Sequence, residues 1–275
     1  VGQTRGCLRG IMGPYTDYVA QAYQEWYKTQ VCDFPATEDF HTCWLLHIPG
    51  LYVRHAPGPI CMEAIADGAA GSIERPINNS KGCGGVMRVA SVGLYLGSSQ
   101  MAGLATDLVA ADVAALTHGH ELGYIPAAML SHMVRLLSHS TEISLETAVQ
   151  DSMEAIRRIF PQAVHLPKFL EKIQLALQLA KPGGSDLDAI HALGEGWCGD
   201  EALAIAVFCA VKYQDDFDKA LLAAVNHGGD SDSTGSITGN LLGAYLGLSQ
   251  IPEKYTKHLE LLDVITEIAE DPYDD

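Results

Sequence analysis

Glycine recurs at positions 235, 239, 243 and 247, every fourth residue of an otherwise apolar, helix-compatible run over 236–248. Positions four apart share one face of a helix, so these glycines leave one side of the cylinder bare. Each interior glycine costs about 1 kcal/mol relative to alanine, and the segment needs compensation from its surroundings. Close packing of the bare face against a neighbouring helix is the expected compensation. It would hold the helix start, with its free amides and positive dipole end, deep inside the protein.

What precedes that helix is equally restrictive. Asn226-His227-Gly228-Gly229-Asp230-Ser231-Asp232-Ser233-Thr234-Gly235 crowds two carboxylates and three hydroxyls behind a glycine pair. Asp230 and Asp232 lie two positions apart, so a turn can face both at one point, and Ser233 or Thr234 can add a neutral oxygen. Magnesium and calcium favour such all-oxygen shells. An N-cap needs one carboxylate, and capping accounts for neither the second Asp nor the adjacent Gly-Gly.

With 275 residues, 48% of them apolar, the chain can bury a large core as one domain. Mixed apolar and polar faces at helical spacing predict helices over 16–30, 100–116, 147–159, 167–180, 201–213, 236–248 and 253–269. Alternating strand patterns are hard to find, so the expected fold class is all-α. Pro-Gly-Gly-Ser at 182–185 is the clearest break and reads as a loop between helices. The 34 acidic against 17 basic residues, a net charge of −17, argue against nucleic acid as the main partner. Cys7, Cys32, Cys43, Cys61, Cys83, Cys198 and Cys209 form an odd set without CxxC spacing, which fits a reducing compartment. No apolar run reaches the roughly 20 residues of a membrane span, so no membrane partner and a cytoplasmic location are expected. The opening residues, starting from Val1, read like the interior of a longer protein.

Pro76-Ile77-Asn78-Asn79-Ser80-Lys81-Gly82-Cys83-Gly84-Gly85-Val86-Met87-Arg88 places three glycines in four positions before an apolar run. Such a loop can turn amides toward an anion, and Ser80 and Lys81 beside it suit a diphosphate; a tight turn between helices would need the same glycines. The order is wrong for a Walker loop. Leu116-Thr117-His118-Gly119-His120-Glu121-Leu122-Gly123-Tyr124 brings two imidazoles near a carboxylate. Zinc fits poorly, because neither HExxH nor a thiolate completes a set, and a histidine here can be structural or can touch a ligand. In Gly194-Glu195-Gly196-Trp197-Cys198-Gly199-Asp200-Glu201, the two acids read as favourable charge at a helix start. Tyr15, Tyr18, Tyr23, Trp26 and Tyr27 read as core or interface, and the acidic tail over 270–275 as a solvated end.

Asn78 to Arg88, Leu116-Thr117-His118 and His227 to Ser233 occur in the order and spacing of one family, and over nearly all its length the chain resembles the ADP-ribosylglycohydrolases. The resemblance implies a compact orthogonal helix bundle, one domain over 1–275, around a cleft holding two magnesium ions, with manganese as an alternative. It implies removal of ADP-ribose from a modified side chain, or action on a related small ADP-ribosyl compound. It makes Asp230, Asp232 and Ser233 metal ligands, Gly82, Cys83, Gly84 and Gly85 the phosphate cradle, and His118 a residue lining the substrate cleft. Relatives also carry an amino-terminal Gly-Asp-Ala-Leu-Gly-like segment and a Ser/Thr-Asp-Asp-Thr motif that supplies the other half of the metal shell. Neither occurs here; Asp17 follows Tyr15-Thr16 without a second Asp. The expectation is a domain missing its amino-terminal portion, with little or no activity in these 275 residues alone. The alternative is an inactive ADP-ribose-binding pseudoenzyme.

Overall fold

The computed structural model describes residues 13–36, 43–97, 103–140 and 142–270. Residues 100–102 of one expected helix, the opening ten residues, Cys7 and the tail over 271–275 lie outside them. The elements, in chain order, are α1 (Tyr15–Val31), α2 (Pro59–Ala66), α3 (Ala90–Gly97), α4 (Leu104–Ala115), α5 (Glu121–His139), α6 (Leu145–Ile159) and α7 (Leu166–Leu179). They continue with α8 (Asp186–Leu193), α9 (Gly199–Lys212), α10 (Phe217–Val225), α11 (Ser231–Leu246), α12 (Glu253–Thr256) and α13 (Leu262–Glu270). Among the described residues there is no strand, only an isolated antiparallel bridge between Gly82 and Cys198. The fold is all-α, as the helical patterning predicted.

Two helices form the centre. α5 packs against α3, α4, α6, α7, α9 and α11, and its residues from Gly123 to Val134 are all buried. α9 packs against α5 to α8, α10 and α11, and buries Ala202 to Ala210 without a break. A helix covered on every side needs no polar stripe. α5, the longest described helix, is absent from the expected set; its sequence carries Pro126 inside the helix, where proline normally breaks one. The shorter α2, α3, α8 and α10 are absent as well, and the run expected over 253–269 is two helices separated by a turn in which Leu261 adopts φ 57°.

Helix α11 departs from expectation in two ways. It begins at Ser231, so the acidic motif forms its first turn instead of a preceding loop. Its glycine face is not the packed face: a Cβ at Gly235 would meet Val225 Cγ1 at 2.6 Å, but no described residue lies within 4 Å of one at Gly239 or Gly243. Compensation comes from the opposite face, where Ile237, Thr238, Leu241 and Leu242 are buried against α5, α9 and α10. Gly247 ends the helix at φ 74°.

The aromatic α1 lies on the core side. Val19, Tyr23, Trp26 and Tyr27 pack on a small cluster of Ile65, Ala69 and Leu116 beside the main core. Among the described residues no helix is long and apolar enough to cross a membrane. The six described cysteines are free thiols.

Candidate functional site

Three loops are laced together at the start of α11. Cys83 N–H donates to Trp197 O (3.1 Å), Gly199 N–H to Lys81 O (2.9 Å) and Asp230 N–H to Glu195 O (2.8 Å). The last bond requires Gly229, because an added Cβ would sit 1.9 Å from Glu195 O. Gly196, at φ 84°, supplies the left-handed turn that brings residue 195 there. On the other flank, Asn78 accepts from Ser80 N and Gly119 N (both 3.0 Å) and donates to Thr117 O (2.8 Å), tying the glycine loop to the segment before α5.

The glycine loop and the acidic turn therefore meet. Asp230 occupies the N-cap position of α11, but its side chain makes no capping hydrogen bond. Its Oδ2 instead accepts from the Cys83 thiol at 2.6 Å. Ser233 Oγ stands 3.3 Å from both Cys83 Sγ and Met87 Sδ. Asp230 is buried, while Asp232 is exposed one turn-edge away. Burial first, then hydrogen bonding with the neighbouring Asp232 carboxyl, raises the Asp230 carboxyl above the usual carboxylate value. The Cys83 thiol is pushed up to about 12 by burial and by its bond to Asp230, so it stays protonated and donates.

These side chains fit part of a hard-cation shell. Two neighbouring carboxylates whose mutual charge is unrelieved, with a hydroxyl beside them, offer oxygens to a divalent ion. Among the described residues no group of three or more His, Cys, Asp and Glu side chains is arranged to hold a metal ion. Three protein oxygens, from Asp230, Asp232 and Ser233, would leave the rest of an octahedral shell to water or to other groups.

In the glycine loop, Cys83–Gly85 forms one 3-10 turn. The amides of Gly82 and Cys83 are already bonded to Ser80 Oγ and Trp197 O, so an anion would have to be met further along, at Gly84. His118 stands beside this turn: a Cβ at Gly82 would lie 3.3 Å from its Nε2, and one at Gly84 3.3 Å from its Cε1. The ring is buried, and burial together with the nearby Arg88 charge lowers its pKa from 6.5 to about 4. A depressed imidazole remains neutral in the folded state while the unfolded chain takes up a proton. Stability should therefore fall as pH drops from about 6.5 to about 4, by on the order of 1 kcal/mol per unit, and be unaffected by this group above that window. Urea titrations across that window should show a shallower loss for His118→Gln than for wild type.

The other singled-out side chains turn elsewhere. His120 caps α5 by accepting from Leu122 N (2.9 Å). Glu121 accepts from Val164 N (3.1 Å) and His165 N (2.7 Å), so with His118 on the glycine turn the three residues diverge and do not form a zinc set. Asp200 makes no cap; it pairs with Lys172 at 2.5 Å, tying α9 to α7. Asn78, Thr117 and Arg88 were visible within quoted motifs, but only the fold shows that Arg88 Nη2 donates to Thr117 Oγ1 and that Thr117 contacts His118.

An all-α core that presents an acid-tipped helix to a glycine turn and a buried histidine defines the class. The chain belongs to the ADP-ribosylglycohydrolase family, which matches residues 3–275. It is similar to the ADP-ribosylhydrolase ARH3 of Bos taurus and of Homo sapiens, each 26% identical over 207 residues, covering 66% of this chain and 54% of the relative. The Gallus gallus ADP-ribosylhydrolase ARH3 is 23% identical over 213 residues, covering 69% and 56%. The chain thus spans about half the length of the curated relatives it matches.

Proposed function

We propose that residues 1–275 form one ADP-ribosylglycohydrolase-like domain whose cleft, between the Gly82–Gly85 turn, His118 and the start of α11, binds ADP-ribosyl groups. In the whole protein this site would hydrolyse the glycosidic bond between ADP-ribose and a modified protein side chain, or a related small ADP-ribosyl compound. The observation that carries the proposal is the 2.6 Å bond from Cys83 to Asp230, which joins the glycine turn to the carboxylate pair. Diphosphate recognition and carboxylate chemistry are then adjacent.

Asp230, Asp232 and Ser233 would hold Mg2+ or Mn2+, which when bound supplies an activated water and offsets negative charge. Of the loop Gly82, Cys83, Gly84 and Gly85, the part beyond the already bonded Gly82 and Cys83 amides would seat the phosphates, with Cys83 keeping Asp230 in place as a neutral donor. His118, neutral at physiological pH, would meet the ligand without adding charge. The carboxylates near the reacting sugar would favour an oxocarbenium-like transition state. The free thiols are consistent with a cytoplasmic, reducing location.

A second reading, ADP-ribose binding without turnover, is favoured by the small number of oxygens at the acidic turn. ADP-ribose release from an ADP-ribosylated protein, with Mg2+ or with EDTA, separates the two when run on this chain and on a version extended at its amino terminus. Magnesium-stimulated release by the extended version, with little from the 275 residues, is expected. Release in neither would leave the binding module, and release insensitive to EDTA would overturn the metal assignment.

A further inference from the structure

Among the described residues Arg88 is a charge without an ion pair. No carboxylate among them pairs with it: Nη1 donates to Cys61 Sγ at 3.2 Å, Nη2 donates to Thr117 Oγ1, and the guanidinium lies 4.7 Å over the Tyr23 ring. Its Nε is buried with no hydrogen-bond partner. Placing a cation in such surroundings is costly unless its remaining bonds are specific.

The bond to Thr117 leads directly to His118. Thr117 is fully buried, and its Oγ1 lies 2.8 Å from His118 Nδ1 but 3.4 Å from Ala114 O. A hydroxyl has one hydrogen to donate. With a lone pair of Oγ1 occupied by the guanidinium, the 2.8 Å contact is made either by that hydrogen going to Nδ1 or by an Nδ1–H donating to Oγ1, and polarisation of the hydroxyl by the cation favours the first. In that arrangement Nδ1 is an acceptor and the proton of the neutral ring is on Nε2. Nε2 makes no hydrogen bond to any described residue and lies 3.3 Å and 3.4 Å from where a Cβ would stand on Gly82 and Gly84. Asn78, bonded to Thr117 O and Gly119 N, fixes the backbone on both sides of the ring.

We infer that Arg88 and Thr117 are positioning residues: the chain Arg88 to Thr117 to His118 holds His118 as an Nε2–H donor aimed at the glycine turn, where an acceptor oxygen of the ligand meets it. The ligand half of this inference rests on the ADP-ribosyl assignment of the cleft; the tautomer does not.

Long-range 15N–1H spectra of the histidine rings, with His118 assigned by comparison with His118→Gln, test the relay in the ligand-free protein. Wild type and Thr117→Ser, which keeps the hydroxyl, should show His118 in the Nε2–H form. Thr117→Val, of the same shape without the hydroxyl, should shift it toward a tautomer mixture and weaken ADP-ribose binding about tenfold in calorimetry, with Thr117→Ser restoring it. An Nδ1–H tautomer in wild type, or an unchanged tautomer in Thr117→Val, would overturn the relay. If the tautomer shifts as expected while wild type binds no ADP-ribose, the relay stands and the ligand assignment falls.

Discussion

Gly229→Ala should lower the midpoint of thermal unfolding by roughly 6 °C, the equivalent of about 3 kcal/mol in a chain of this size. The added methyl would stand 1.9 Å from Glu195 O and 2.7 Å from Glu195 C, distances that backbone atoms cannot absorb by a rotamer change. Relief requires separating residues 195 and 229, which breaks the Asp230 N–H bond to Glu195 O and withdraws Asp230 from Cys83. Gly228→Ala is the matched control. No described atom lies within 4 Å of its Cβ, and the change should be within about 0.5 kcal/mol of neutral. Differential scanning calorimetry of the two variants reads the contrast. Equal midpoints would mean that the 195–229 contact does not hold the acidic turn.

Asp230→Asn should separate stability from function. The ionised carboxyl is disfavoured in the folded protein by burial and by Asp232, so its pKa is raised above 3.8. For an acid with a raised folded value, the penalty exists at pH values above that value and vanishes below 3.8, where both states are protonated. Asparagine removes the charge and leaves an oxygen to accept from Cys83. The variant should therefore gain on the order of 1 kcal/mol, about 2 °C, near neutral pH in metal-free buffer, and nothing near pH 3. Hydrolysis by the extended protein should fall by at least about 100-fold, since a carboxylate is lost from the proposed cation shell. Lower stability at neutral pH in metal-free buffer would contradict the repulsion on which the metal assignment rests.

The sequence was most legible where chemistry demanded unusual residues. Gly229 beside Asp230 stood out because composition alone gives no reason for a glycine pair there, and the structure supplies one in the approach of Glu195. The glycine stripe was legible as a helix but not in its direction: periodicity reports that Gly239 and Gly243 share a face, not whether that face is packed or open. Helix α5 was illegible for a different reason, since Pro126 stands inside it and proline normally marks the end of a helix. Cys83 was placed in the anion loop by its neighbours; its bond to a carboxylate 147 positions away depends on how α5, α9 and α11 bring the loops together. Arg88 and Thr117 carried no local signal of a link, because a relay between residues 29 positions apart is written only in the fold.

Isothermal titration of ADP-ribose into this chain, with magnesium and with EDTA, beside Asp230→Asn under the same conditions, tests the central claim most directly. Binding by wild type that tightens with magnesium, and magnesium-independent binding by Asp230→Asn, is the predicted result. No binding by wild type in either buffer would contradict an ADP-ribosyl cleft between the glycine turn, His118 and the acidic end of α11.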